Sequence, residues 1–169
     1  MSLFDAKGVI LIAVDEKFTL EDKDGREVGR GSIHRQFVDT YCGDNSEYGD
    51  YIRKKVNNKG ESSEVVCEIG DKTFVLFAYS KLGVRDDYRD NLSYERSFYQ
   101  IEGSLKKVLL FCKEQFPDKV INTALIGTGI ESDPSRTQKP HKYSLNDARG
   151  RLNDLAKELN VQINIIEKN

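Results

Sequence analysis

The sequence has 169 residues, 38% of them hydrophobic and 32% charged, which is typical of a soluble globular protein with a sizeable core. Its net charge of −2 argues against a general electrostatic attraction to nucleic acid, so no general nucleic-acid binding is expected. No repeat, low-complexity segment or linker divides the chain, and residues 1–169 are therefore predicted to form one domain.

The first residues lack the basic segment and apolar run of a secretory signal, and no apolar run approaches the ~20 residues of a membrane span. We therefore expect a cytoplasmic protein with no membrane partner. The three cysteines, Cys42, Cys67 and Cys112, form no CxxC pair and have no neighbouring histidine. They indicate buried thiols, and the sequence predicts no metal site and no cofactor.

The chain begins with a short apolar, β-branched run at residues 9–14, which predicts a strand buried on both faces. A polar loop over residues 15–28 follows, and two glycines come directly after it. Ser32 is then placed to cap a helix. The apolar face of this helix recurs every four residues, at Ile33, Phe37 and Tyr41.

The middle of the chain predicts a helix and a hairpin. The helix covers residues 48–56, with an apolar face at four-residue spacing. Two strands at residues 65–69 and 73–79 are separated by Gly70-Asp71-Lys72, which favours a β-hairpin. The charged residues 81–91 are predicted to form an exposed loop.

The second half of the chain predicts two helices that alternate with two strands. These elements cover residues 94–116, 120–126, 145–159 and 161–166. Ser93 is placed to cap the first helix and Pro117 to end it. Strands that alternate with helices predict an α/β sandwich around a mixed sheet.

Two glycine segments follow predicted strands, namely Gly29-Arg30-Gly31-Ser32 and Gly127-Thr128-Gly129-Ile130. Ligands of open α/β sheets bind beyond the carboxyl ends of the strands. Glycine lets the backbone approach a phosphate, and the N–H groups of a helix N-terminus attract an anion. We therefore predict that the two segments form opposite walls of one phosphate-binding cleft. The alternative for each segment is a tight turn without a ligand.

Two residues near the predicted strand ends are candidate catalytic groups. His34 can donate a hydrogen bond to a phosphate or act as an acid or base, and the alternative is that it packs within its helix. Asp15 can bind a ribose hydroxyl or activate water, and the alternative is a solvated carboxylate. The motifs of P-loop NTPases, α/β-hydrolases, zincins and dinucleotide dehydrogenases are absent from the sequence.

The order of these elements, and four segments within them, resemble a macro domain, and most closely the macro-like domains of bacterial Thoeris-type antiviral systems. The matching segments are ILIAVDEKF at 10–18, GRGSIHRQF at 29–37, FVLFAYSKLG at 74–83 and NTALIGTGIESD at 122–133. The resemblance implies a three-layer α/β/α sandwich with a mixed central sheet. It also implies a small-molecule ligand, namely ADP-ribose or a related NAD-derived nucleotide, and a role as a sensor in bacterial or phage defence.

The resemblance assigns the ligand-binding residues by position. The first phosphate loop would contain Gly29, Gly31, Ser32 and Ile33, and the second would contain Gly127, Thr128, Gly129, Ile130 and Glu131. His34 matches a histidine that often follows the first loop in this group. An alternative function is the hydrolysis of ADP-ribose from a protein, nucleic acid or metabolite, with Asp15 or His34 activating water. The sequence leaves open whether the protein is an enzyme.

Overall fold

Five strands form one mixed sheet that carries helices on both faces. The computed structural model describes residues 2–15, 33–43, 45–58, 64–80, 91–125 and 145–167. The strands are β1 Val9–Asp15, β2 Glu64–Ile69, β3 Lys72–Ser80, β4 Ile121–Thr123 and β5 Ile163–Ile165. The helices are α1 Ile33–Tyr41, α2 Asn45–Asn58, α3 Asn91–Gln115 and α4 Leu145–Leu159, and a 3-10 helix covers Leu3–Asp5.

The strand order in the sheet is β2-β3-β1-β4-β5. Strand β1 lies at the centre and pairs in parallel with β3 and β4, while β5 pairs in parallel with β4. Strand β2 is antiparallel to β3 and forms the hairpin that the sequence predicts. Residue Gly70 turns the hairpin with a φ of 63°, a conformation that glycine adopts without steric cost. The sheet is therefore mixed, as predicted.

Successive residues of the central strands point to opposite faces of the sheet, and each face has its own core. On one face α3 and α4 cover the sheet, and the buried residues there include Val9, Leu11, Val75, Phe77, Leu105, Val108, Leu109, Leu152 and Leu155. On the other face α1 and α2 cover it, and the buried residues include Ile10, Ile12, Val14, Phe37, Val38, Tyr48, Ile52, Phe74 and Leu76. The three-layer α/β/α architecture that the resemblance implies is confirmed.

Most predicted elements are confirmed, with some changes in their bounds. Helix α3 begins at Asn91, so the prediction that Ser93 caps it is wrong, because Ser93 lies inside the first turn. Strands β4 and β5 have three residues each and are shorter than predicted. The predicted loops at 15–28 and 81–91 fall almost wholly outside the described residues. Within the described ranges, no helix is long and apolar enough to cross a membrane.

Candidate functional site

The carboxyl ends of the four parallel strands lie at one edge of the sheet. Strand β1 ends there at Asp15, and residues 16–32 connect it to α1. Strand β4 is hydrogen-bonded to β1, and residues 124–144 connect its end to α4. The two predicted glycine segments therefore belong to connections that leave neighbouring strands at the same edge. This edge, which we call the carboxyl edge, is where ligands of open α/β sheets bind.

Helix α1 runs antiparallel to β1, so that its N-terminus faces the carboxyl edge. Its last residue, Tyr41, packs against Phe4 and Phe74, with ring centroids 5.7 Å and 4.9 Å away. Phe74 is near the start of β3, at the opposite edge of the sheet. Since a helix rises 1.5 Å per residue, His34 lies about 10 Å from Tyr41 along the helix axis. The first turn of α1 is thus the part of the helix nearest to the predicted site.

Helices α3 and α4 have the same orientation on the other face. A short turn joins Gln115 of α3 to the start of β4, which places the C-terminus of α3 at the edge opposite to the carboxyl edge. In α4, Arg149 donates to Glu167 just beyond the end of β5, with an Nη2–Oε1 distance of 2.5 Å. The N-termini of α1, α3 and α4 therefore all face the carboxyl edge. The dipole of each helix contributes positive potential at its N-terminus, which favours an anion there.

His34 is the one predicted catalytic residue whose side chain the structure describes. It is 6% exposed and lies in the first turn of α1. Its Nε2 atom forms a hydrogen bond of 2.6 Å with the hydroxyl of Tyr48 in α2. Burial, together with the smaller effect of the neighbouring charge of Arg35, lowers the pKa of His34 to about 4. The imidazole is therefore neutral at neutral pH.

His34 is buried, as in the alternative that the sequence left open, but its hydrogen-bond partner Tyr48 belongs to α2 and not to its own helix. The position of His34 near the carboxyl edge also keeps it a predicted site residue. Sequence reasoning missed Tyr48 as the partner of His34, because the two residues lie in different helices. The spacing of Tyr48 indicates only that it belongs to the apolar face of α2. No local pattern could have paired the two residues.

The backbone places two more predicted residues near the carboxyl edge. Asp15 ends β1 and is paired in register with Ser80, after an irregularity between Val14 and Asp15. Ile33 is the first residue of α1 and is partly buried against the core of its layer. The other predicted ligand-binding residues lie outside the described residues, and their roles stay predictions. These are Gly29, Gly31, Ser32, Gly127, Thr128, Gly129, Ile130 and Glu131.

The described ranges contain no candidate metal site. No group of three or more His, Cys, Asp or Glu residues is arranged there to hold a metal ion. The cysteines Cys67 and Cys112 are buried and Cys42 is partly buried, all as free thiols.

Solved structures share this fold at low sequence identity. A crystal structure of a Bacteroides thetaiotaomicron protein matches with a TM-score of 0.58 and 9% identity, over 96% of this chain and 92% of that chain. An alphavirus P23pro-zbd structure matches with a TM-score of 0.57 and 10% identity, over 97% of this chain but only 20% of that chain. A mutant of the Oceanobacillus iheyensis macrodomain matches with a TM-score of 0.52 and 12% identity, over 95% of this chain and 76% of that chain.

Comparison by sequence adds no relative. No protein-family model matches the chain, and no curated protein matches it. The likeness to the solved structures is one of architecture, since the identities are 9–12%. The chain therefore has a macro-like α/β fold.

Proposed function

We propose that this protein binds ADP-ribose or a related NAD-derived nucleotide at the carboxyl edge. The observation that carries the proposal is the topology of that edge. Two connections that contain glycine segments leave the adjacent strands β1 and β4 there, and each leads into a helix N-terminus. Because α1 and α4 cover opposite faces of the sheet, the two connections are suited to opposite walls of one cleft.

The chemistry of a diphosphate suits such a cleft. Its negative charges are stabilised by helix dipoles, and its oxygens accept hydrogen bonds from backbone N–H groups that glycine leaves accessible. In this proposal, Gly29, Gly31, Ser32 and Ile33 bind one phosphate. The remaining predicted residues, Gly127, Thr128, Gly129, Ile130 and Glu131, bind the second phosphate and the distal ribose.

The structural neighbour that is a macrodomain supports a nucleotide ligand rather than another anion. The resemblance of the glycine segments to Thoeris-type macro-like domains supports a narrower proposal. In it, the protein is a sensor of an NAD-derived signal in a bacterial or phage defence system. It acts as one domain over residues 1–169.

Hydrolysis of ADP-ribose conjugates is the other function that the sequence allows. It needs a group that takes a proton from water, and the two candidates are Asp15 and His34. The Nε2 atom of His34 is already engaged by the Tyr48 hydroxyl in a buried setting, which leaves that nitrogen unsuited to activating water. Asp15 is then the remaining candidate base for hydrolysis. We put binding first because the topology of the carboxyl edge supports it without any catalytic group.

Isothermal titration calorimetry with ADP-ribose and with cyclic ADP-ribose isomers tests the proposal. We expect wild-type protein to bind one of these ligands and Gly129→Glu to bind at least about tenfold more weakly, because a carboxylate would repel the diphosphate. Gly103→Glu is the matched control, since Gly103 is exposed on α3 with open space around its Cβ position. The absence of heat and of a thermal shift at millimolar ligand would contradict the proposal.

A further inference from the structure

The outer surface of α3 combines an exposed apolar residue with charges of both signs. Within the described ranges, Leu110 is the one large hydrophobic side chain that is exposed, at 43%. Lys107 and Glu114 are exposed as well, three residues before Leu110 and four residues after it. Residues three and four apart lie on the same side of a helix. Lys107, Leu110 and Glu114, which we call the α3 patch, therefore form one surface about 10 Å long.

Contacts with α4 engage two other exposed lysines of this part of α3. The Nζ atom of Lys106 lies 3.1 Å from Oε1 of Glu158, and Nζ of Lys113 donates to the carbonyl oxygen of Leu159 at 2.9 Å. With 3.6 residues per turn, these two lysines lie on one side of Leu110, whereas the charged residues of the α3 patch lie on the other. The α3 patch therefore faces away from α4 and toward solvent.

Two residues of the α3 patch would gain from a partner that covers it. Leu110 leaves apolar surface in water, and burial of that surface is favourable. Glu114 places a carboxylate in the last turn of α3, where the helix dipole disfavours negative charge. A partner that suits the patch therefore has an apolar centre, a cation for Glu114 and an anion for Lys107.

The order of the charges makes the α3 patch complementary to itself. Lys107 and Glu114 are equally far from the midpoint of the patch, which lies beside Leu110. In an antiparallel pair of α3 helices, Lys107 of each copy therefore faces Glu114 of the other, with the Leu110 side chains meeting between them. A parallel pair would place like charges opposite each other. We propose that a second copy of this chain docks on the α3 patch in the antiparallel, two-fold symmetric arrangement.

The resulting dimer is weak and leaves the carboxyl edge uncovered. One helix from each copy forms a small interface, and exposed ion pairs add little affinity. We expect a dissociation constant on the order of 100 μM. The α3 patch lies toward the C-terminus of α3, at the edge of the sheet opposite to the carboxyl edge. The inference therefore does not depend on the proposed function.

Sedimentation equilibrium of the full chain tests whether the dimer forms through this patch. We expect Leu110→Glu to raise the dissociation constant at least about tenfold, because it puts charge in the apolar centre. Lys54→Glu is the matched control, since Lys54 is exposed on α2, which covers the other face of the sheet, and it should stay within about twofold of wild type. Wild-type protein that is monomeric at about 1 mM overturns the proposal, and so does an equal loss in the two variants.

Charge reversal tests the antiparallel order of the two helices. Lys107→Glu alone places like charges at both contacts, and so does Glu114→Lys alone, whereas an equimolar mixture of the two variants has opposite charges at both. We expect each variant alone to dimerise about tenfold more weakly than wild type, and the mixture to recover to within about threefold. Circular dichroism checks that each variant is folded. A mixture no stronger than its components, or a Lys107→Glu dimer as strong as that of wild type, overturns the arrangement.

Discussion

The side chains of Asn122 and Asn164 face each other across the β4–β5 ladder, where the Asn164 amide donates to Oδ1 of Asn122 at 3.2 Å. Asn122 is 1% exposed, and its own amide donates to the carbonyl oxygens of Lys7 and Val9 at 2.8 Å and 3.0 Å. A single buried amide thus joins three successive segments of the sheet. A buried polar group is costly when it lacks a hydrogen-bond partner. The three hydrogen bonds of Asn122 therefore stabilise the contact between these segments.

We expect Asn122→Ala to lower the free energy of unfolding by about 3 kcal/mol, because two backbone carbonyls and the Asn164 amide lose a partner. Urea denaturation followed by circular dichroism measures the change. Asn164→Ala is the matched control, since Asn164 is exposed and makes one of these bonds, and it should cost no more than about 1 kcal/mol. An equal loss of unfolding free energy in the two variants would show that the hydrogen bonds from Asn122 to Lys7 and Val9 add no stability.

The backbone at Gly8 has no room for a side chain. Its φ is 108°, and a Cβ atom there would lie 2.3 Å from the carbonyl oxygen of Val120. That same oxygen accepts a hydrogen bond from the backbone N–H of Val9 at 2.9 Å, so it cannot move away without loss of this bond. We therefore expect Gly8→Ala to lower the free energy of unfolding by at least about 2 kcal/mol.

Gly70→Ala separates the contribution of the clash from that of the backbone conformation. Gly70 also has a positive φ, of 63°, but nothing lies within 4 Å of its Cβ position. Its substitution should cost about 1 kcal/mol, from the left-handed backbone alone. Urea denaturation of both variants measures the difference, and a Gly70→Ala loss as large as that of Gly8→Ala would show that the clash with Val120 contributes nothing.

The elements that the sequence predicted best are those whose apolar pattern is long or continuous. Strand β1 is a central strand buried on both faces, so nearly every residue in it is apolar. Helix α4 matches its predicted bounds because its buried residues Ala148, Leu152 and Leu155 follow the spacing of one helix face. In these cases the buried side chains themselves carry the signal.

Features that depend on partners distant in the chain could not be predicted. Nothing near Asn122 indicates that its amide caps carbonyls at Lys7 and Val9, and nothing near Tyr48 indicates a hydrogen bond to His34. The ends of α3 and of the short strands depend on the same kind of tertiary contact. For the candidate site, the sequence correctly predicted that both glycine segments follow strands that end at the carboxyl edge. The roles of the residues in those segments stay predictions.

The thiols should react slowly in the folded protein. Burial raises the pKa of both Cys42 and Cys112 to about 12, and it also raises the pKa of Cys67. Relative to an ordinary thiol, this reduces the thiolate of Cys112 about a thousandfold near pH 8, and alkylation requires the thiolate. With iodoacetamide and peptide mass spectrometry, we expect Cys42 to react first, since it is partly exposed, and all three to react readily in urea. Rapid native labelling of Cys112 would contradict its burial.

The low pKa of His34 should make stability depend on pH. The pKa is about 4 in the folded protein and 6.5 for an unperturbed histidine, so the unfolded chain binds an additional proton between these values. Stability therefore falls as the pH falls through 6.5, and this loss is complete below pH 4. It should reach about 2 kcal/mol between pH 7.5 and pH 5. Urea denaturation across this range measures it.

His34→Gln provides the control, because glutamine has no charge to gain in this range but can still contact the Tyr48 hydroxyl. Carboxylates titrate mainly below this range, and their contribution is common to both proteins. The difference between the unfolding free energies of wild type and variant should therefore shift by about 2 kcal/mol in favour of the variant on going to pH 5. A difference that stays constant with pH would mean that His34 takes up a proton in the folded state as readily as in the unfolded chain.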